Sequence, residues 1–287
     1  MTALNLYVSK NFTMPGGFTA GIEGPAVDRE GNVYAVNYER QRTIGKVTPD
    51  GTASVYLELP DGGVGNGIRI DAQGWMYIAD YVRHRIYRVE PGTGQLTVYA
   101  ESAAMNQPND IALSRAGQLF ASDPDWKTGS GQIWRIDRDG KIVLLERGMG
   151  TTNGIEVSPD ERTLYVNETK QRTIWAYDLD EAGAIAGKRL LIEFPDFSLD
   201  GMRCDIAGNL YVTRHGKGVI AHISPQGEVL REIALGGKNC TNVAFGGPDG
   251  KTCYVTVADN GNIEKFRTEI PGRCWALLQQ SPLPGSG

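Results

Sequence analysis

Residues 66–94, NGIRIDAQGWMYIADYVRHRIYRVEPGTG, contain the pattern that decides the fold. A short alternating strand is followed by a D-x-x-G turn, a second apolar strand, WMYIA, and a third, RIYRV. Asp and Gly favour such turns because the carboxylate bonds the turn's own backbone and Gly accepts a positive φ. The stretch therefore predicts three antiparallel strands, and LTVYA after them fits a fourth.

The same pattern recurs along most of the chain, each time after one short polar residue. These ring residues, as we call them, are Glu23, Asn66, Asn109, Asn153, Asp200 and Asn242, at intervals of 43, 43, 44, 47 and 42 residues. A strand repeat with a period in the forties is typical of a β-propeller with one four-stranded blade per repeat. We predict an all-β fold, a six-bladed β-propeller of four-stranded antiparallel blades, in one domain over residues 1–287.

Equivalent positions of all blades meet around the central channel, so the ring residues should face one another there. The second strand of each blade returns to the ring's side, which places the loops after it beside the ring. The D-x-x-G turns lie on the opposite face, where Asp28, Asp71 and Asp205 are expected to have structural roles. The strand that closes the last blade is expected from residues 1–19 or from the tail after residue 273.

Composition excludes several classes of partner. Lys and Arg number 29 against 34 Asp and Glu, a net charge of −5, and no long basic run is present to neutralise phosphates, so no nucleic acid is expected. No apolar run approaches 18 residues and no apolar segment follows a basic cluster near the start, so we expect no membrane and a cytoplasmic location. Four single cysteines without a C-x-x-C pair are expected to be free thiols. The sequence does not indicate an oligomeric state.

The ring residues supply two carboxylates and four amides, with no His or Cys among them. Such hard oxygen ligands suit Ca²⁺, Mg²⁺ or Mn²⁺. Without a cation, two carboxylates in a narrow channel repel each other, and the pKa of at least one should rise. An Asn at a ring position can instead bridge neighbouring blades through hydrogen bonds, and for Asn66 and Asn242 both roles stay open.

Other catalytic chemistries have no support in the sequence. It contains no H-E-x-x-H, no G-x-S-x-G and no P-loop, and the glycine-rich residues 62–67 lead into a strand rather than a helix. His84, His215 and His222 are too scattered to form a zinc site. His215 lies in a loop beside the ring, which makes it a candidate for substrate contact.

The sequence around four ring residues resembles the SMP-30, gluconolactonase and luciferin-regenerating enzyme family, which includes regucalcin and the diisopropyl fluorophosphatases. The resemblance covers about residues 20–267 and is carried by IEGPAVD around Glu23, QPNDIAL around Asn109, TNGIEVSPDERTLYV around Asn153 and LDGMRCDIAGNLYVT around Asp200. It implies a divalent cation, Ca²⁺ before Mg²⁺, Mn²⁺, Fe²⁺ or Zn²⁺, held in the channel by Glu23, Asn109, Asn153 and Asp200. It also implies that Asp200 acts as base or nucleophile.

The departures from the family concern the substrate. Sugar-lactonase members have an Arg two residues before the blade-three Asn, where this chain has Gln107, and an acidic residue in the next loop, where DPDWK offers Asp123 and Asp125. Trp126 in that loop can form an apolar wall for a less polar lactone. The residues expected to contact substrate are Asn66, Asn242, Asp123, Trp126 and His215.

A cation that polarises a carbonyl oxygen, beside a carboxylate that activates water, favours hydrolysis. We expect a metal-dependent lactonase that opens a small-molecule lactone or ester. Two alternatives remain. One is a phosphotriesterase resembling the diisopropyl fluorophosphatases, and the other is a propeller that binds a ligand or calcium without catalysis.

Overall fold

The computed structural model describes residues 5–280, which form six four-stranded antiparallel sheets, as predicted. The first strand, β1 (Lys10–Asn11), belongs to the last blade. Blades one to three contain β2 (Phe18–Val27), β3 (Val33–Tyr38), β4 (Thr43–Val47), β5 (Ala53–Glu58), β6 (Gly65–Ile70), β7 (Met76–Asp80), β8 (Arg85–Val89), β9 (Leu96–Glu101), β10 (Ile111–Leu113), β11 (Leu119–Asp125), β12 (Ser130–Ile136) and β13 (Ile142–Met149).

The second half of the chain repeats this arrangement. Blades four to six contain β14 (Thr152–Val157), β15 (Thr163–Glu168), β16 (Thr173–Leu179), β17 (Ile185–Glu193), β18 (Ser198–Cys204), β19 (Leu210–His215), β20 (Val219–Ile223), β21 (Val229–Ala234), β22 (Cys240–Gly246), β23 (Thr252–Val257) and β24 (Asn262–Arg267). A single-turn helix, α1 (Arg273–Leu278), follows. The first strands, β2, β6, β10, β14, β18 and β22, contact one another in a closed circuit. The fold is therefore a six-bladed β-propeller with these strands around its central channel.

The last blade is closed by the N-terminal part of the chain. Strand β1 pairs antiparallel with β24, with Lys10 opposite Lys265 and Asn11 opposite Glu264. The sequence analysis left open whether this strand comes before or after the repeats. The tail instead supplies α1. Within residues 5–280 this six-residue helix is the only one, and it is far too short to cross a bilayer.

The apolar core is divided among the interfaces between blades. Six clusters of buried side chains each draw on two adjacent blades. In one of them, Ile86 of blade two packs with Ile111 and Trp134 of blade three. Because each blade buries its faces only against its neighbours, the disc has to close before any blade is fully packed.

Five of the six ring residues lie in irregular parts of the inner strands, and the sixth, Asn109, lies two residues before β10. In blades two, four, five and six, two residues of the first strand lie opposite one residue of the second, which is the geometry of a β-bulge. In blade four, for example, Asn153 and Gly154 both lie opposite Asn167. A bulge re-aims side chains and interrupts pairing. It therefore turns the ring residue away from the regular alternation of its strand.

The turns on the face opposite the ring match their predicted structural role. Oδ1 of Asp28 accepts a hydrogen bond from the backbone N–H of Asn32 at 2.8 Å. Asp71 accepts two such bonds at 2.9 Å, and Asp205 accepts bonds at 2.9 and 3.0 Å. Helix α1 packs on this face against β18 and β22, over the end of the channel.

Candidate functional site

Neighbouring ring positions are joined by hydrogen bonds that cross between blades. These bonds run from Asn242 Nδ2 to Glu23 Oε1 at 2.7 Å, from Gly67 N to the Asn109 carbonyl at 2.8 Å, and from Asn167 Nδ2 to the Asp200 carbonyl at 2.5 Å. Close packing of one blade against the next requires glycine after two of the ring residues. A Cβ on Gly24 would lie 1.7 Å from the Asn66 carbonyl oxygen, and one on Gly201 would lie 2.0 Å from Asn242 Cγ.

Three buried oxygens at ring positions have no hydrogen-bond partner among the described residues: Glu23 Oε2, Asn109 Oδ1 and Asn153 Oδ1. Their side chains belong to residues that are 6%, 8% and 3% exposed. The other side of the Asn153 amide is occupied, because Nδ2 donates to Thr169 Oγ1 at 3.0 Å. A buried acceptor without a donor is costly, so three of them at equivalent positions require an explanation.

Burial and mutual repulsion shift the titration of the two ring carboxylates. Burial raises the pKa of Glu23 to about 7, with a further contribution from the nearby Asp110 charge. Burial also raises the pKa of Asp200 well above its ordinary value, and the Glu23 carboxylate adds to that rise. Both carboxylates therefore ionise with difficulty unless a positive charge lies between them.

The donor set suits a hard divalent cation. Among the described residues, no three His, Cys, Asp or Glu side chains form a metal-binding group, so a cation site here depends on amide oxygens. The three partnerless oxygens and the Asp200 carboxylate are oxygen ligands of the kind that Ca²⁺ and Mg²⁺ take. A cation would supply both the missing partners and the positive charge.

Asp200 is the more accessible of the two ring carboxylates. Its side chain is 18% exposed, and Oδ2 lies 3.8 Å from Nδ1 of His215. This nitrogen is buried and lacks a hydrogen-bond partner within residues 5–280. The predicted proximity of His215 to the ring is thus observed. Nδ1 of its imidazole faces the Asp200 carboxylate.

Asn242 is engaged on all sides, which does not fit a direct contact with substrate. It is completely buried. Nδ2 donates to Glu23 and, at 3.2 Å, to Asp110 Oδ2, while Oδ1 accepts from the backbone of Val243. Of the two roles that the sequence left open, the structure favours bridging. Asn66 differs, because its half-buried side chain makes no hydrogen bond to any other described residue.

Asp123, which the sequence places among the residues expected to contact substrate, is completely buried and already satisfied by hydrogen bonds. It accepts hydrogen bonds from four groups: the backbone N–H groups of Asn106 and Gln107, Nε2 of Gln132 and Nε1 of Trp134. Asp80 has the same role in blade two, accepting from the backbone of Val64 and Val82. These residues fix the loops beside the ring.

Trp126 is half-buried in the loop after β11. Its backbone N–H donates to Gln107 Oε1 at 3.2 Å, and Lys170 Nζ donates to its carbonyl at 3.4 Å. The Gln that replaces the family's Arg thus positions the Trp loop with its side-chain oxygen. The apolar wall at this place stays a prediction.

A layer of buried charge, which was not predicted, lies between the ring and α1. Asp110 bridges two guanidinium groups, with Oδ1 3.1 Å from Arg69 Nη1 and Oδ2 3.1 Å from Arg203 Nη1. Below it, Arg273 of α1 lies 3.1 Å from Glu156. The available signal was a charged residue three positions after a ring residue, in NGIR, NGIE and DGMR, where a fully buried strand would be apolar.

Curated relatives match the chain over about half of its length. It is 33% identical over 153 residues to a pentonolactonase of Haloferax volcanii, which covers 52% of this chain and 53% of that protein. It is 31% identical over 189 residues to a gluconolactonase of Zymomonas mobilis, covering 58% and 52%. The matched region thus spans about half the length of these relatives.

Solved structures share the fold over nearly the whole chain. A calcium-binding protein, regucalcin, from Agrobacterium tumefaciens superimposes with a TM-score of 0.78 at 24% identity, covering 91% of this chain and 96% of that one. A gluconolactonase from Xanthomonas campestris gives 0.78 at 23%, covering 92% and 89%. At these identities the likeness concerns the fold alone.

A family model described as the SMP-30/gluconolactonase/LRE-like region matches residues 21–259, a range that contains all six ring residues. The resemblance noted in the sequence therefore extends over more than half of the chain. The chain belongs to the SMP-30/gluconolactonase/LRE-like family.

Proposed function

We propose that this protein is a divalent-metal-dependent lactonase whose cation is held by Glu23, Asn109, Asn153 and Asp200. The observation that carries the proposal is the set of three buried oxygens without partners beside a partly exposed carboxylate. Ca²⁺ is the first candidate because the ligands are all oxygens and two are neutral amides. The lactonase names of the curated relatives support the substrate class.

Catalysis is divided between the two ring carboxylates. When bound, the cation supplies Lewis-acid polarisation of the lactone carbonyl. Glu23 is only 6% exposed, and in this proposal it serves only to bind the cation and to balance charge. Asp200 borders solvent, so it takes the proton from an attacking water, or itself attacks the carbonyl to give an acyl-enzyme that water then hydrolyses. In both routes the ring C–O bond breaks, the released ring oxygen takes up a proton, from Asp200 in the first route and from water in the second, and the product is a hydroxy acid.

His215, Trp126 and Asn66 are the substrate contacts in this proposal. The buried Nδ1 of His215 is free within the described chain and faces Asp200. It can donate to or accept from the lactone. Trp126 supplies an apolar surface, and the uncommitted Asn66 amide supplies polar groups at the ring. Asp123 and Asn242 are completely buried, and in this proposal they hold neighbouring groups in place without contacting the substrate.

The experiment is proton release from a panel of γ- and δ-lactones by chelator-stripped protein, to which Ca²⁺, Mg²⁺, Mn²⁺, Fe²⁺ or Zn²⁺ is then added singly. We expect no proton release from the stripped protein, and lactone hydrolysis once at least one of these cations is restored. The Asn109→Ala variant is the matched control, since it removes one ring oxygen and should require more cation for the same rate. Undiminished turnover in chelator would contradict the metal requirement. Hydrolysis of phosphotriesters but of no lactone would contradict the substrate class.

A further inference from the structure

The Glu23 carboxylate has one oxygen held and one oxygen free. Oε1 accepts a hydrogen bond from Asn242 Nδ2 at 2.7 Å, whereas Oε2 has no partner among the described residues. Carboxylates rotate about their last torsion at little cost unless a bond fixes them. The bond from Asn242 therefore determines which oxygen of Glu23 remains available.

The orientation of the Asn242 amide is itself fixed by its surroundings. Its Nδ2 faces two carboxylate oxygens, one of Glu23 and one of Asp110. Its Oδ1 faces a backbone N–H, that of Val243, at 2.8 Å. A flipped amide would place its oxygen between two carboxylates and its NH₂ against an N–H donor, so only one orientation satisfies all three contacts.

Asp110 anchors this arrangement from the far side. It is completely buried, lies between Arg69 and Arg203, and accepts a further bond from the backbone of Ile111. With two ion pairs and two hydrogen bonds on two oxygens, Asp110 cannot rotate freely. A rigid path thus leads from the paired guanidinium groups through Asp110 and Asn242 to Glu23.

We propose that Asn242 is a positioning residue for the cation: it holds Oε1 of Glu23 so that Oε2 is presented to the channel, and Asp110 holds Asn242 in turn. The inference rests on the proposed cation site. It explains why an amide rather than a carboxylate occupies this ring position. Only an amide can donate to two carboxylates and accept from an N–H within one planar group.

The chain offers a matched comparison in Asn66. It is also a ring Asn that lies in a bulge, but its side chain makes no hydrogen bond to another described residue. If ring amides mattered only as part of the channel wall, Asn66 and Asn242 would contribute alike. If the contact with Glu23 matters, only Asn242 should affect cation binding.

The test is a double-mutant cycle read by calorimetric titration of the stripped full-length protein with Ca²⁺ alone. Loss of a residue that orients a ligand typically weakens metal binding by about 10- to 100-fold, and we expect this for Asn242→Ala. In a Glu23→Gln background the same substitution should change affinity by less than about threefold, because the oriented carboxylate is already gone. The Ca²⁺ affinity of Asn66→Ala should also stay within about threefold of that of the wild type, because this side chain does not orient Glu23.

The outcomes separate this inference from the proposed function. A wild-type protein that binds no divalent cation would overturn both. Cation binding unchanged by Asn242→Ala, or weakened equally in both backgrounds, would overturn only the positioning role. The Asp side chain has nearly the same shape as Asn, so Asn242→Asp can replace Asn242→Ala in the double-mutant cycle if the Ala variant does not fold. Asn242→Asp should also weaken binding in the Glu23 background, because an ionised Asp cannot donate the hydrogen bond that holds Oε1 of Glu23.

Discussion

At the residue scale, the two ring carboxylates share a channel but differ in their surroundings. Glu23 is buried and accepts a hydrogen bond from Asn242, whereas Asp200 is partly exposed and has His215 nearby. A group that only binds a cation gains from burial, while a group that activates water must reach water. The division of roles between them follows from this difference in access.

Substitution of Asp200 by Asn should separate binding from turnover. The amide keeps an oxygen for the cation but can neither accept a proton nor attack as a carboxylate. We expect turnover to fall by about 10² to 10⁴ while Ca²⁺ still binds, since this is the usual contribution of a general base. Steady-state kinetics and calorimetry on the same preparation measure the two quantities.

Asn153→Ala is the control for that substitution, because it removes a ring oxygen and no carboxylate. It should weaken cation binding and leave turnover recoverable at high cation concentration. A protein in which Asp200→Asn loses cation binding and turnover together would show that this carboxylate acts only as a ligand.

The pKa of Glu23, raised to about 7, predicts a pH dependence of stability for cation-free protein. The folded state binds a proton at this carboxyl up to about pH 7, whereas the unfolded chain releases it near its ordinary value. The free energy of unfolding should therefore fall as pH rises from about 5 to 7. Urea denaturation in chelator across this range measures the slope.

Comparison with Glu23→Gln removes this contribution together with the part of the raised Asp200 pKa that the Glu23 charge causes. His222, whose pKa burial lowers to about 4, works in the opposite direction and is present in both proteins. The wild type should lose stability relative to Glu23→Gln as pH rises, and saturating Ca²⁺ should remove the difference. A difference that does not change with pH would contradict the raised pKa.

At the element scale, the bulges explain how strands present a ring of side chains. The polar residues opposite or beside them satisfy the backbone that the bulges leave unpaired. Thr213 Oγ1 donates to the carbonyls of Gly201 and Thr241, and Asn37 Nδ2 donates to that of Gly21. These three carbonyls are therefore satisfied although the strand pairing around them is irregular.

Gly24 tests the close packing at the ring. Its φ is +58°, and a Cβ there would lie 1.7 Å from the Asn66 carbonyl oxygen. Gly92 has a φ of +78° with nothing within 4 Å of the equivalent point. Both Ala variants incur the left-handed backbone cost of roughly 1–2 kcal/mol.

The free energy of unfolding should fall by about 3 kcal/mol more in Gly24→Ala than in Gly92→Ala, because the Asn66 backbone cannot move away from the new Cβ without disturbing its own strand. Urea denaturation of both variants provides the comparison. Equal losses would mean that blades one and two can separate at the ring without cost.

At the scale of the whole molecule, the chain is closed at two places. Strand β1 completes the last blade, and α1 lies over the end of the channel opposite the ring. Arg273 ties the helix to blade four through Glu156 and through Glu161, and it also donates to the Leu113 carbonyl at 3.0 Å. The tail therefore completes the charge balance of the channel.

Arg273→Met should destabilise the protein by about 3–5 kcal/mol, since it leaves buried Glu156 without its partner. Arg29→Met is the matched control, because exposed Arg29 also holds the tail, donating to the Leu278 carbonyl at 2.7 Å, but leaves no buried charge behind. It should cost less than about 1 kcal/mol. Similar losses in thermal and urea denaturation would show that the buried pair contributes nothing beyond attachment of the tail.

Much of this architecture was readable from the repeat. Period and turn chemistry are local properties, so they predicted six blades and the faces of the disc. The closing strand could not be predicted in this way, because the pairing of β1 with β24 joins two distant segments and involves only two residues of β1. The engagement of Asp123 and Asn242 also escaped prediction, because a sequence shows which polar groups reach the channel but not which are already bonded there.

The most direct test of the central claim is a crystal structure of the protein grown with Mn²⁺, with anomalous scattering recorded to locate the cation. The account predicts one anomalous peak in the channel, in contact with Glu23 Oε2, Asn109 Oδ1, Asn153 Oδ1 and the Asp200 carboxylate. A channel without a peak, or a peak bound only by residues outside this set, would contradict it.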